Sequence, residues 1–175
     1  MTASYLRLAM PEDLSEITRI IEEAKAYLKE QKINQWQGFY PEAKQLEQDV
    51  KDELTYILMV GDKIAGTAAL CPGIEPMYLH IEDGEWVNGP EAHYATIHRV
   101  AISTKFRGQN LATKTISCLL TTARLSGYKD IRVDTNSENR GMQHIIETNG
   151  FEYKGIIRTP DSDEAERYAY QIILK

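Results

Sequence analysis

A mixed α/β fold is what this sequence predicts, and three observations carry the prediction. Apolar residues recur at helical spacing in four stretches. Between these lie short β-branched runs bounded by Gly, Pro, Asn or Asp. Laid end to end the elements run β-α-α-β-β-β-α-β-α-β-β, with no repeat, low-complexity tract or linker to divide them. The 175 residues suit one domain, since domains commonly hold about 100–200 residues. Residues 1–175 are therefore read as a single unit.

Ser4 to Ala9 alternate well enough for a first strand. Pro11 sits where a helix tolerates it, at the first turn, with Glu12 and Asp13 suiting the dipole. Leu14, Ile17, Ile20, Ile21, Ala24 and Leu28 carry that helix to about residue 30. Gln31 to Tyr40 is a loop whose Trp36 and Phe39 either wall a pocket or plug one end of a core. A second helix starts near Pro41, with Leu46, Val50 and Leu54 on one face. Tyr56 to Val60 and Ile64 to Leu70 pair as a hairpin across Gly61-Asp62-Lys63. Pro72-Gly73 breaks the second of these strands. Residues 72–95 form a long polar segment with room for a hairpin of its own. There Glu75, Glu82, Asp83, Glu85 and Glu91 stand among Tyr78, Trp86 and Tyr94. Acids and ring faces together suit an organic cation, and equally a solvated loop with a small apolar anchor.

The most informative stretch is 96–127. Ile97, Val100 and Ile102 make a strand that stops at Ser103. Arg107-Gly108-Gln109-Asn110 then feeds a helix with Leu111, Ile116, Leu119, Leu120 and Ala123 on its buried face, ended by Gly127. A strand–loop–helix of this kind turns unpaired backbone N–H groups and the positive end of a helix dipole toward one point. Such a point suits a phosphate, and Arg107 adds a charge-assisted contact; the same Gly and Arg could also serve only to turn the chain. Asp130 to Thr135 is the next strand, with Ile131 and Val133 on one side. Asn139 opens a helix containing Met142, Ile145 and Ile146 that stops at Asn149-Gly150. Phe151 to Ile157 and Arg167 to Leu174 are the closing strands.

Composition narrows the function. Hydrophobic content of 42% with 26% charged residues is ordinary for a soluble globular protein. A net charge of −6 argues against general nucleic-acid binding, which needs a basic footprint. Cys71 and Cys118 are too few for a disulfide framework and read as free thiols in a reducing compartment. His80 and His93 have no ligand-like spacing to each other or to a Cys, so no metal is expected. The N-terminus shows no basic-then-apolar leader, and no segment approaches the roughly 18 apolar residues of a membrane span. The expected setting is the cytoplasm, without a membrane partner. The oligomeric state is unread, with a homodimer left open.

Two motifs carry a family resemblance. Val100-Ala101-Ile102 followed by Arg107-Gly108-Gln109-Asn110-Leu111-Ala112 resembles the strand and Arg/Gln-x-x-Gly-x-Gly/Ala loop of the GNAT superfamily of acetyl-CoA-dependent N-acetyltransferases. Asn139, about a dozen residues before Gly150-Phe151, resembles the second motif, and Asp13-Leu14 looks like the family's opening. The resemblance spans nearly the whole chain. It implies a mostly antiparallel central sheet, splayed in the middle and flanked by helices on both faces, with acetyl-CoA wedged between strands 98–103 and 130–135. It implies further that Val100, Ala101 and Ile102 lie along the pantetheine arm. The amides of Arg107, Gly108, Gln109, Asn110, Leu111, Ala112 and Thr113 would cradle the pyrophosphate, and Asn139 would bond the pantetheine region. Two positions depart from the pattern. Asn110 replaces a glycine, and Asn tolerates a left-handed backbone better than other side chains. Ile146 stands where many members carry the tyrosine that protonates the departing thiolate.

The chemistry implied is direct attack of an amine on the thioester in a ternary complex, with a small-molecule or peptide amine as acceptor. His98 is the first candidate for the base, because strict alternation would put it on the same face as Val100 and Ile102. The Ile102 N–H is the family-like donor to the developing oxyanion. Tyr168, or Tyr170, on the last strand could supply the acid missing at 146. An acyl-CoA-binding or sensor protein without turnover is the alternative, motivated by Ile146 and Asn110. Motifs of other nucleotide binders, Gly-x-x-x-x-Gly-Lys-Ser/Thr and Gly-x-Gly-x-x-Gly, do not occur.

Overall fold

The structure, a computed structural model, describes residues 2–159 and 166–175, and its elements follow the predicted order. Strand β1 (Ser4–Leu8) leads into helices α1 (Leu14–Glu30) and α2 (Ala43–Lys51). Strands β2 (Thr55–Val60), β3 (Lys63–Pro72) and β4 (Tyr94–Ile102) precede α3 (Leu111–Leu125), β5 (Asp130–Asn136), α4 (Arg140–Thr148), β6 (Glu152–Ile157) and β7 (Arg167–Ile173). They form one sheet in the order β1-β2-β3-β4-β5-β7-β6. Neighbours are antiparallel except β4 and β5, which α3 joins as a crossover and which therefore run parallel.

Alternation along the strands sends side chains to two cores. Ile57, Met59 and Ala101 meet Ile17, Ile20, Ile21 and Leu28 of α1 and Leu46 and Val50 of α2 on one face. Ala95, Ile97, Ile131 and Val133 meet Ile116 and Leu119 of α3 and Ile146 of α4 on the other. Each fully buried Ile or Leu of this kind contributes about 1.5–3 kcal/mol of transfer free energy. The predicted helix stops hold for a visible reason. Gly127 and Gly150 take positive φ of 93° and 88°, and the next amide bonds back, Tyr128 to the Ala123 carbonyl and Phe151 to that of Ile146. α1 ends the same way with Lys32 at φ 59° and Ile33 N–H on the Leu28 carbonyl.

Residues 72–95 differ from the hairpin for which the sequence left room. They hold a 3₁₀ turn at Pro76–Tyr78 and a single bridge, Glu82 to Ile156, while Tyr94 already belongs to β4. The aromatics of this segment do meet a cation, but it is the protein's own. Arg132, fully buried on β5, lies 3.8 Å from the Tyr94 ring centre and 4.4 Å from that of Trp86. Its Nη2 donates to Asp130 Oδ2 at 2.9 Å and to the Gly89 carbonyl at 2.7 Å. Gln171 Nε2 donates to the second Asp130 oxygen at 2.8 Å. The long segment is thus laid over one face of the sheet by a buried ion pair. Arg132→Ala would leave Asp130 uncompensated and should cost about 3–5 kcal/mol. Urea unfolding measures this, and a loss below about 1 kcal/mol would contradict a structural role for the pair.

Candidate functional site

The sheet comes apart in its middle. β4 and β5 pair over four positions, Tyr94 with Asp130 to Ile97 with Val133, and no further. Beyond that point a cavity of about 400 Å³ opens between them. Its walls come from β4, β5, the first turns of α3 and α4, α1, and the loop through Trp36 and Tyr40.

Register tells which β4 amides face it. Ser103 N–H donates to the Ala65 carbonyl at 2.8 Å, so that opposed pair is a bonded one. The next pair, Gly66 with Ile102, is then a non-bonded pair, and the Ile102 N–H points away from β3 toward the opening. The same alternation turns the Val100 amide to the opening and spends the Ala101 backbone on Thr67. A Cβ at Gly66 would lie 2.6 Å from Ile102 Cδ1, so glycine there leaves that side chain its place.

At the other end, Gly108 and Asn110 both adopt left-handed conformations, φ 77° and 57°, and α3 starts at the next residue. Asn110 takes the geometry expected of the glycine it replaces. Arg107 lines the cavity and stacks its guanidinium 3.5 Å from the centre of the Tyr27 ring. Gly108 and Ala112 line it too; Asn110 and Leu111 line a shallower groove beside it, and Gln109 and Thr113 line neither. Asn139 caps α4 through its Oδ1 on the Met142 amide at 3.1 Å, and its Nδ2 donates to Gln35 Oε1 at 2.9 Å. The loop at 31–40 is thereby held against β5 and α4. Trp36 is buried in the α1 core and lines the cavity, so it both plugs and walls, whereas Phe39 is exposed.

Two expectations change. Two steps on β3, Thr67 to Ala69, span three on β4, Ala101 to His98, a bulge in which Arg99 has φ 54°. The extra residue reverses the alternation, so His98 lies on the face opposite Val100 and Ile102. It still lines the cavity, from the side covered by α1 and residues 72–95. Tyr168 is not among the cavity residues. Arg167 points to the cavity, so Tyr168 takes the α4 face, where it meets Tyr153 edge-on. Tyr170 shares that face, its hydroxyl pushed up to about 12 by burial and by Glu147. Ile146 is fully buried in the α4 core.

The His98 side of the cavity is charged and paired. His98 Nε2 lies 3.0 Å from Glu75 Oε2, and the Glu75 amide donates to the Tyr94 hydroxyl at 2.7 Å. Asp134 accepts from the Tyr78 hydroxyl at 2.5 Å and pairs with Arg167. Burial alone would push its carboxyl up, but Arg167, His98 and the Tyr78 hydroxyl hold it below the usual carboxylate range. Burial and the adjacent Asp134 push Tyr78 well above the ordinary phenol value. Arg99 donates to the Tyr40 hydroxyl at 2.6 Å, and burial raises the Tyr40 phenol despite that cation. Sequence reasoning singled out none of Asp134, Arg99 and Tyr40 as site residues. Asp134 was within reach, because Ile131 and Val133 facing one side leave it facing the other; the bulge that re-aims Arg99 has no sequence signal. Among the described residues no three His, Cys, Asp or Glu side chains gather as a metal site requires, and no helix is long and apolar enough to cross a membrane.

Known proteins share this fold. The family model for the Acetyltransferase (GNAT) family matches residues 17–151. An uncharacterized N-acetyltransferase of Bacillus subtilis strain 168, YesJ, is 22% identical over 158 residues, covering 86% of this chain and 83% of the relative. A GNAT-family acetyltransferase of Streptococcus agalactiae 2603, known from its crystal structure, superposes with a TM-score of 0.89 at 32% identity, covering 98% of this chain and 96% of that one. RimL, a ribosomal L7/L12 α-N-protein acetyltransferase solved with coenzyme A, shares the fold with a TM-score of 0.70 at 16% identity, covering 99% of this chain and 96% of that one. Splayed strands, left-handed loop and matching relatives together place the chain in the GNAT family of acetyltransferases.

Proposed function

We propose that this enzyme, acting as a single domain over residues 1–175, moves the acetyl group of acetyl-CoA to a primary amine of a small molecule or peptide, with both substrates bound at once. The observation that carries the reading is the open edge of β4, whose Val100 and Ile102 amides point into a cavity that ends at the α3 loop. An extended amide-bearing arm can pair with that edge as a strand would. The RimL structure, solved with coenzyme A, shares the fold. Gly108, Asn110 and the first α3 amides form a concave donor set suited to the pyrophosphate, and Arg107 supplies charge beside it. Asn139, anchored at both ends of its amide, borders the arm.

The reacting groups then sort by position. Ile102 N–H faces the carbonyl oxygen that gains charge when the amine attacks. His98 takes the amine's proton from the opposite face. Its Nε2–H is given to Glu75, which leaves Nδ1 as the acceptor and fixes the ring's orientation. Tyr168 has no part in this reading. The departing thiolate resembles a Cys thiol of pKa about 8.5 and leaves without an obligatory acid. The binding-only alternative rests on Ile146, whose place in the core removes the usual tyrosine.

A thiol-release assay over a panel of amines separates transfer from binding alone: release should follow on at least one amine, and tight acetyl-CoA binding with none would favour the sensor. Arg107→Ala should weaken acetyl-CoA binding by about 1.5–3 kcal/mol in calorimetry if its phosphate contact is direct; unchanged affinity contradicts the loop assignment. His98→Ala should lower kcat by about 10²-fold or more, and Glu75→Gln by less, with acetyl-CoA affinity preserved in both. Near-normal turnover in His98→Ala would retire it as the base.

A further inference from the structure

We propose that the acceptor amine carries a carboxylate, and that this carboxylate docks on Arg99 and the Tyr40 hydroxyl. The inference rests on the acetyl-transfer reading and names the class of acceptor within it.

Arg99 is an unusual residue in three independent ways. Its backbone holds φ 54°, a conformation that is strained for a non-glycine residue and gathers at ligand sites. Its side chain is only 8% exposed, though a buried cation is costly unless well paired. And the pairing is incomplete. Nε lies 2.8 Å from Asp49 Oδ2, yet its N–H is not aimed at that oxygen, and neither buried atom has a hydrogen-bond partner. One terminal nitrogen, Nη2, reaches Cys71 Sγ at 3.6 Å, a weak acceptor. A guanidinium with five donors is therefore held at the cavity wall with few strong acceptors. Asp49 behind it offsets its charge without lining the cavity.

The third contact sets the ligand chemistry. Arg99 Nη1 donates to the Tyr40 oxygen at 2.6 Å. A guanidinium cannot accept, so the Tyr40 proton is free to be given elsewhere. Arg99 and Tyr40 both line the cavity, and an N–H and an O–H side by side match the two oxygens of a carboxylate. Neighbouring charges agree. Arg99, Arg167 and His98 line this part of the cavity against Asp134, which Arg167 and Tyr78 already engage. A second ammonium, as on a polyamine, would meet cations here. The phosphates have their own place at Arg107 and the α3 loop, so Arg99 is not needed for them.

The test is steady-state kinetics at saturating acetyl-CoA, with matched acceptors: amino acids, their carboxamides and their decarboxylated amines. The carboxylate forms should exceed their partners in kcat/KM by about 10- to 100-fold, the worth of a charge-assisted hydrogen bond. Arg99→Gln and Tyr40→Phe should each pull that ratio toward one through the acceptor's KM, with acetyl-CoA affinity unchanged. Should Arg99→Gln fail to fold, Tyr40→Phe, on a partly exposed loop, carries the comparison. Equal use of carboxylates and carboxamides overturns this inference alone. Absence of transfer to every amine overturns the acetyl-transfer reading with it.

Discussion

Between Thr67 and Ala69 β3 takes two steps while β4 takes three, and the site follows from that one surplus residue. A bulge bends and over-twists its strand. β4 therefore leaves β5 just beyond Ile97, after four paired positions. The backbone groups freed by the divergence are not orphans hidden in a core, which would be costly. They line an opening wide enough for another molecule. The surplus residue also divides the labour of the strand. His98 and Arg99 turn to the α1 side, Val100 and Ile102 to the α3 side, so the strand's polar and apolar side chains occupy opposite walls of the cavity.

Opposite walls need different support, and the charged one is the expensive one. Asp134, Arg132, Asp130, Asp49 and Arg99 are all nearly or fully buried at the side chain. Taking such ions from water costs several kcal/mol each unless partners replace the lost hydration. Partners far apart in sequence do so between β5 and β7 and between residues 72–95 and β5, whereas the Arg99–Asp49 contact from β4 to α2 does so only in part. A face held by directional pairs keeps its polar groups at fixed positions, which a purely apolar face would not do. The cost in stability falls on the wall that carries His98 and its Glu75 partner.

Much of this was legible in the residues. Helical spacing and alternation found the elements, because both report burial, and burial is what decides most of the sheet and helix faces. Gly127, Gly150 and Asn110 were legible for a different reason, since few residues accept a positive φ. The same logic failed at Arg99, an arginine in a conformation that its type does not announce. Everything downstream of it failed too: the face of His98, and the pairing with Tyr40 and Asp49. Trp86 and Tyr94 looked like a trap for a foreign cation because a sequence cannot say that Arg132, some forty residues on, will fill it. Tyr168 was misjudged by a single step of alternation, which depends on register and not on composition.

Helix α1 joins the two walls. Its buried face packs on β2 and β4, while Arg19, Glu23 and Tyr27, each four residues apart, form a second stripe along one side. Arg19 reaches Ser103 Oγ at 3.4 Å, Glu23 accepts the Thr104 amide at 2.9 Å, and the Tyr27 ring receives Arg107. Three successive turns thus grip the segment that leads from β4 into the α3 loop. At the same end of the helix, Leu28 lines the cavity beside Trp36 and Tyr40 of the following loop. Tyr27 is 42% exposed, so its ring can turn about its own side-chain bonds while the buried face of the helix stays packed. The helix therefore spans both ends of the cavity, from Arg107 at the α3 loop to Trp36 and Tyr40, and its packed face fixes their spacing.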